Sequence, residues 1–133
     1  MKFLLDTDTC IYAIKQDAAV LRRLLSCSRV DIAVSVITEA ELRTGAAKSA
    51  TSTKTMQRIE NFLRPLSILD FTSEDAAAYA QIRARLERAG TPIGPLDTLI
   101  AAQAIHHRLT LVTNNQREFS RVSDLHLENW SDA

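Results

Sequence analysis

Phe3-Leu4-Leu5-Asp6-Thr7-Asp8-Thr9-Cys10-Ile11-Tyr12-Ala13-Ile14 sets an apolar run, a carboxylate and an apolar helix face in immediate succession. Three apolar residues ending at Asp6 predict a buried strand. Thr7, Asp8 and Thr9 offer helix caps, because short polar side chains take up backbone N–H groups left unpaired in a first turn. A strand that runs directly into a helix is one β–α unit, and the chain repeats the pattern. Ile32-Ala33-Val34 predicts a second buried strand, followed by Ser35 as a cap and a helix through Ile37, Leu42 and Ala46 to about Ser49. Leu66–Leu69, Leu109–Thr113 and Leu125–Leu127 predict three more strands.

Helical spacing fills the gaps. Val20, Leu21, Leu24 and Leu25 predict a helix before the second strand; Met56, Ile59, Phe62 and Leu63 predict another, closed by Pro65. Ser73 with Glu74 and Asp75 predicts the start of a helix that carries Tyr79, Ile82 and Leu86 to a stop at Gly90. Pro95 suits the first turn of a helix through Leu99, Ile100, Ala104 and Ile105. Strands alternating with helices imply an α/β fold with a parallel sheet covered on both faces, and chemistry gathers beyond the carboxyl ends of such strands.

Composition agrees with a globular reading. The 133 residues are 46% hydrophobic and 24% charged, which excludes disorder and collagen-like repeats and predicts one domain, 1–133. The longest stretch without a charged residue, Thr98–His107, is about half a membrane span. The N-terminus meets Asp6 too early for a secretory signal, so a cytoplasmic protein is expected. Cys10 and Cys27 share no CxxC spacing and are expected as buried, reduced thiols. Net charge is zero, with 16 basic and 16 acidic residues, so no bulk field attracts nucleic acid. The basic set is nonetheless 12 Arg against 4 Lys, and Arg is the better fork for phosphate.

Three acids stand where the topology would bring them together: Asp6 at the end of the first strand, Glu41 in the helix after the second, and Asp97 in the first turn after Pro95. Asn114-Asn115 follows the fourth strand. Each acid has an ordinary reading: Asp6 as a cap, Asp97 as a complement to a helix dipole, Glu41 as an exposed partner of Lys or Arg. Their joint position favours a shared cleft. Carboxylates that converge repel one another unless a cation neutralises them, and an all-oxygen donor set suits Mg²⁺ or Mn²⁺. His106 and His107 are about 100° apart on a helix and are expected on the surface or in the core, not on one metal.

Four segments carry a family resemblance. Leu4-Leu5-Asp6-Thr7-Asp8-Thr9-Cys10-Ile11, Glu41-Leu42-Arg43-Thr44-Gly45-Ala46, Gly94-Pro95-Leu96-Asp97-Thr98-Leu99-Ile100-Ala101 and Val112-Thr113-Asn114-Asn115-Gln116-Arg117-Glu118-Phe119 resemble, in order and spacing, segments of PIN-domain ribonucleases of the VapC toxin type. The likeness runs from Phe3 to Trp130. It implies a three-layer α/β/α sandwich around a parallel sheet and a metal-dependent endoribonuclease, the toxin of a toxin–antitoxin pair. By this resemblance Asp6 and Asp97 would ligate Mg²⁺, Glu41 would ligate or orient water, and Asn115 would join the catalytic set. It also implies a tRNA substrate, with the initiator tRNA anticodon region a frequent target, a VapB-like antitoxin and a homodimer. Asn115 stands where many PIN domains have Asp, which puts a second metal in question. Asp8 stands where Asn is common, leaving open an extra cleft carboxylate or an acidic cap. Some of Arg43, Lys48, Lys54, Arg83, Arg85, Arg88, Arg117 and Arg121 are expected to hold RNA phosphates. Two other readings exist: a PIN module that binds without cutting, and a phosphoacceptor receiver built on Asp6, Asp8 and Asp70, which lacks the required late Lys.

Overall fold

A computed structural model describes residues 1–131. Five strands form one sheet: β1 (Phe3–Leu5), β2 (Ile32–Ser35), β3 (Ser67–Leu69), β4 (Thr110–Val112) and β5 (Leu127–Glu128). Their order is β3-β2-β1-β4-β5, and every pairing is parallel. The helices are α1 (Thr7–Ile14), α2 (Ala18–Ser26), α3 (Val36–Lys48), α4 (Ser52–Leu63), α5 (Ser73–Arg88), α6 (Pro95–His106) and the one-turn α7 (Gln116–Phe119). The parallel sheet between helical layers is the expected α/β architecture.

Alternation along each strand builds the layers. Leu4 pairs in register with Ala33 and Leu111, and these three point to one face, where Ile82 and Leu86 of α5 and Ile100, Ala101 and Ala104 of α6 cover them. Leu5, Val34 and Val112 point to the other, against Cys10 and Ala13 of α1, Leu42 and Ala46 of α3, and Ile59 and Leu63 of α4. Leu4 and Leu5 are both fully buried, each worth about 1.5–3 kcal/mol of transfer free energy. That burial fixes the strand, and with it the residue that follows.

Several local expectations shift. The cap of α1 is Asp6 itself, ahead of the three residues expected to cap it. Thr72, not Ser73, caps α5, through a capping box with Asp75. β5 begins at Leu127, two residues later than expected, and α7 was not foreseen. Leu25 lies on the open side of α2 and is 81% exposed. Gly90 ends α5 in the left-handed region at φ 72°, where a side chain would be strained. Cys10 is buried and Cys27 half-buried, both unpaired, and burial pushes the Cys10 thiol well up, keeping it protonated. Among the described residues no helix is long and apolar enough to cross a membrane.

Candidate functional site

The middle strand, β1, ends at Leu5, so Asp6 emerges at the carboxyl edge of the sheet between the ends of β2 and β4. Its backbone N–H donates to the Val112 carbonyl at 3.0 Å. Its carboxylate Oδ1 accepts from the Thr9 backbone N–H at 2.8 Å, capping α1. The Asp6 side chain is only 4% exposed. Burial raises its pKa; hydrogen bonds from Thr113 and Thr9 oppose the rise, and the charge of Asp8 adds to it.

Glu41 comes from the second turn of α3, a helix started by Ser35, whose hydroxyl accepts from the Ile37 N–H at 3.0 Å. The Thr7 hydroxyl donates to Glu41 Oε1 at 2.6 Å, tying the start of α1 to α3. Asp97 stands third in α6, behind Pro95 at the helix start. A helix N-terminus ordinarily favours an ionised carboxylate, yet the Asp97 pKa is raised from 3.8 to about 6. Burial is the largest cause, followed by the charges of Glu118, Asp6, Glu41 and Asp8. Desolvation and like charge therefore outweigh the dipole.

These causes bring residues from four parts of the chain to one place. Asp6, Glu41 and Asp97 converge as the sequence led one to expect. Asp8, left open between two roles, contributes charge to both Asp6 and Asp97 while Asp6 does the capping. Glu118 was missed, although it exerts the largest charge effect on Asp97. A signal for it existed: Asn115 and Glu118 have the polar-x-x-acid spacing of a helix start. The structure shows Asn115 Nδ2 donating to Glu118 Oε2 at 2.6 Å, while the Asn115 N–H donates to the Thr113 hydroxyl at 2.9 Å. The visible work of Asn115 is thus to hold Glu118.

None of the ion pairs among the described residues involves Asp6, Asp8, Glu41, Asp97 or Glu118. Asp6, Asp8, Glu41 and Glu118 all act on Asp97 as like charges, and a set of carboxylate oxygens of this kind could hold a hard divalent cation. Of the bases considered for RNA, Arg43 is already committed to Glu39 at 2.9 Å and Glu60 at 3.7 Å, and Arg83 to Glu87 at 2.9 Å. Arg117, beside Glu118 in α7, is exposed and enters no ion pair among the described residues. Asp70 follows the edge strand β3, which β2 separates from β1 and Asp6. The receiver arrangement of Asp6, Asp8 and Asp70 is therefore not formed.

Residues 3–125 match the PIN domain. The chain belongs to the PIN-domain family. Within it this PIN domain is of the VapC ribonuclease type. The tRNA(fMet)-specific endonuclease VapC of Salmonella typhimurium is 40% identical over 130 residues, covering 98% of each chain. Ribonuclease VapC2 of Rickettsia felis is 40% identical over 132 residues, again 98% of each. The fold agrees: the DNA-bound VapBC structure from Salmonella typhimurium superposes with a TM-score of 0.93 at 40% identity, over 98% of each chain. VapBC2 of Rickettsia felis, bound to a promoter DNA fragment, gives 0.90 at 39% identity, over 98% of this PIN domain and 99% of that chain.

Proposed function

We propose that this PIN domain, acting as one unit across residues 1–133, is the Mg²⁺-dependent endoribonuclease toxin of a VapBC-type pair and cuts tRNA, the initiator tRNA anticodon region being the preferred target. The carrying observation is that four other carboxylates act on Asp97 and that none of the five enters an ion pair among the described residues. Asp6 and Asp97 would hold Mg²⁺, or Mn²⁺ in its place, which would supply charge stabilisation to the phosphodiester under attack. Glu41, which accepts a hydrogen bond from Thr7, would help by ligating the ion or by orienting the attacking water. Thr113 and Thr9 hold Asp6 in one orientation, so it need not reorganise when RNA arrives. Asn115 would act through Glu118, the carboxylate it holds and whose charge acts on Asp97.

A second feature supports the antitoxin partner. An apolar groove lined by Ile11, Ile14, Leu42, Ala46 and Ile59 runs between α1, α3 and α4 and reaches Glu41 at the cleft. An apolar antitoxin segment lying in it would pass beside Glu41. We place the protein in the cytoplasm, where tRNA is, and propose a homodimer on the family likeness. The decisive assay is cleavage of total tRNA with Mg²⁺ against an EDTA control. Discrete anticodon-loop fragments that vanish with EDTA are expected. RNA bound but uncut with Mg²⁺, Mn²⁺ and other divalent ions would replace the nuclease with a binding-only PIN module.

A further inference from the structure

The far end of α6 carries a second constellation, ten residues or roughly 15 Å beyond Asp97. Asp75, His106 and His107 each present a ligand atom, and the three atoms lie within 4.8 Å of one another. Spacing on an ideal helix set the two histidines apart. The helix, however, ends between them: His106 is the last residue of α6, while His107 caps it at φ −88°, ψ 0° and Arg108 turns left-handed at φ 56°. The imidazole rings consequently meet edge to face with centroids 4.8 Å apart.

Asp75 is fully buried, and one of its oxygens is spoken for. Oδ2 accepts from the Thr72 N–H at 2.9 Å and the Thr72 hydroxyl at 3.2 Å, closing the capping box of α5. Oδ1 is buried with no hydrogen-bond partner, and so is Nε2 of His107 opposite it. These two atoms are 3.6 Å apart. That gap is too long for a hydrogen bond, but it matches the edge of a tetrahedron with bonds of about 2.0 Å, whose ligand atoms stand about 3.3 Å apart. Two complementary buried atoms, neither of them hydrogen-bonded, are what an ion between them would explain. The carbonyl end of α6 adds a favourable field for a cation.

We infer that Asp75, His106 and His107 form a binding site for a zinc-class divalent ion that ties the start of α5 to the end of α6. Two imidazoles and one carboxylate select Zn²⁺, Ni²⁺ or Co²⁺ over Mg²⁺. The site is thus chemically distinct from the all-oxygen cleft. Three protein ligands leave one tetrahedral position for water, on the side where His106 is exposed.

The chain's third histidine, His126, lies outside the cluster and makes the test internal. In the ¹⁵N-labelled full chain, one equivalent of ZnCl₂ should shift the ring-nitrogen signals of His106 and His107 together and leave those of His126 in place. Zn²⁺ entering the carboxylate cleft does not touch these signals. The exposed variant H106A should weaken the His107 response at least about tenfold, as should D75N. Zn²⁺ should also raise the melting temperature of the wild type and not that of H106A. Ring signals of His106 and His107 that stay unmoved at several equivalents would overturn the assignment. So would equally tight binding by H106A, which decides the matter even if D75N fails to fold.

Discussion

Helix α6 carries opposite chemistries at its two ends. Its N-terminus presents Asp97 to four other carboxylates, with Glu118 and Asp6 the strongest influences. Its C-terminus presents two imidazoles to a single buried carboxylate, Asp75. The helix field would favour an anion at the first end and a cation at the second. At the second end that field would favour a cation held by these three side chains. At the first, burial and repulsion override it, and the Asp97 pKa climbs to about 6. The difference is that like charges crowd the first end, whereas the second leaves a buried carboxylate oxygen and an imidazole nitrogen facing each other without a hydrogen bond.

The largest effect expected from breaking this contrast lies at the cleft. D6N and D97N should each lower RNA cleavage at least about a thousandfold, several kcal/mol of transition-state stabilisation. Asn is as good a helix cap as Asp, so D6N should retain the wild-type circular dichroism spectrum. Full activity in either variant would remove that residue from the site. E118Q should act more mildly, raising the Mg²⁺ concentration needed for half-maximal cleavage by about tenfold to a hundredfold. An unchanged Mg²⁺ requirement would leave Glu118 as a bystander.

The smallest effect concerns stability and runs opposite to activity. The folded Asp97 pKa, about 6, exceeds the ordinary 3.8. Between those values the folded chain holds a proton that the unfolded chain has released. Stability therefore falls as pH rises across this window and levels off above it. D97N escapes the penalty. In EDTA it should melt higher than the wild type near pH 7, by about 1–2 kcal/mol once solvent screening of this half-buried group is allowed for, and the gain should fade toward pH 4. Saturating Mg²⁺ should reverse the order, since only the full carboxylate set is stabilised by the ion. Calorimetric scans at three pH values, with and without Mg²⁺, test both signs.

Much of this was legible along the chain. Phe3-Leu4-Leu5 and Ile32-Ala33-Val34 read as strands because unbroken apolar runs belong to sheets buried on both faces. Asp6 and Asp97 could be placed because a strand end and a helix start are local features. Glu118 was obscured by its one-turn helix, too short to show a period, and its partner Asn115 read as a member of the catalytic set in its own right. Arg43 looked available for RNA until α4 brought Glu60 alongside it.

Local sterics and hydrophobic period determined the β–α alternation, the parallel sheet and the positions of Asp6, Glu41 and Asp97. Only tertiary packing decided that β1 lies in the middle of the sheet, that Glu118 of α7 brings its charge to bear on Asp97, and that α5 lays Asp75 against His107. The reason is range: a periodic pattern reports which side of an element is apolar within a few residues. Contact between side chains 32 positions apart depends on how two finished helices pack, which no local pattern encodes.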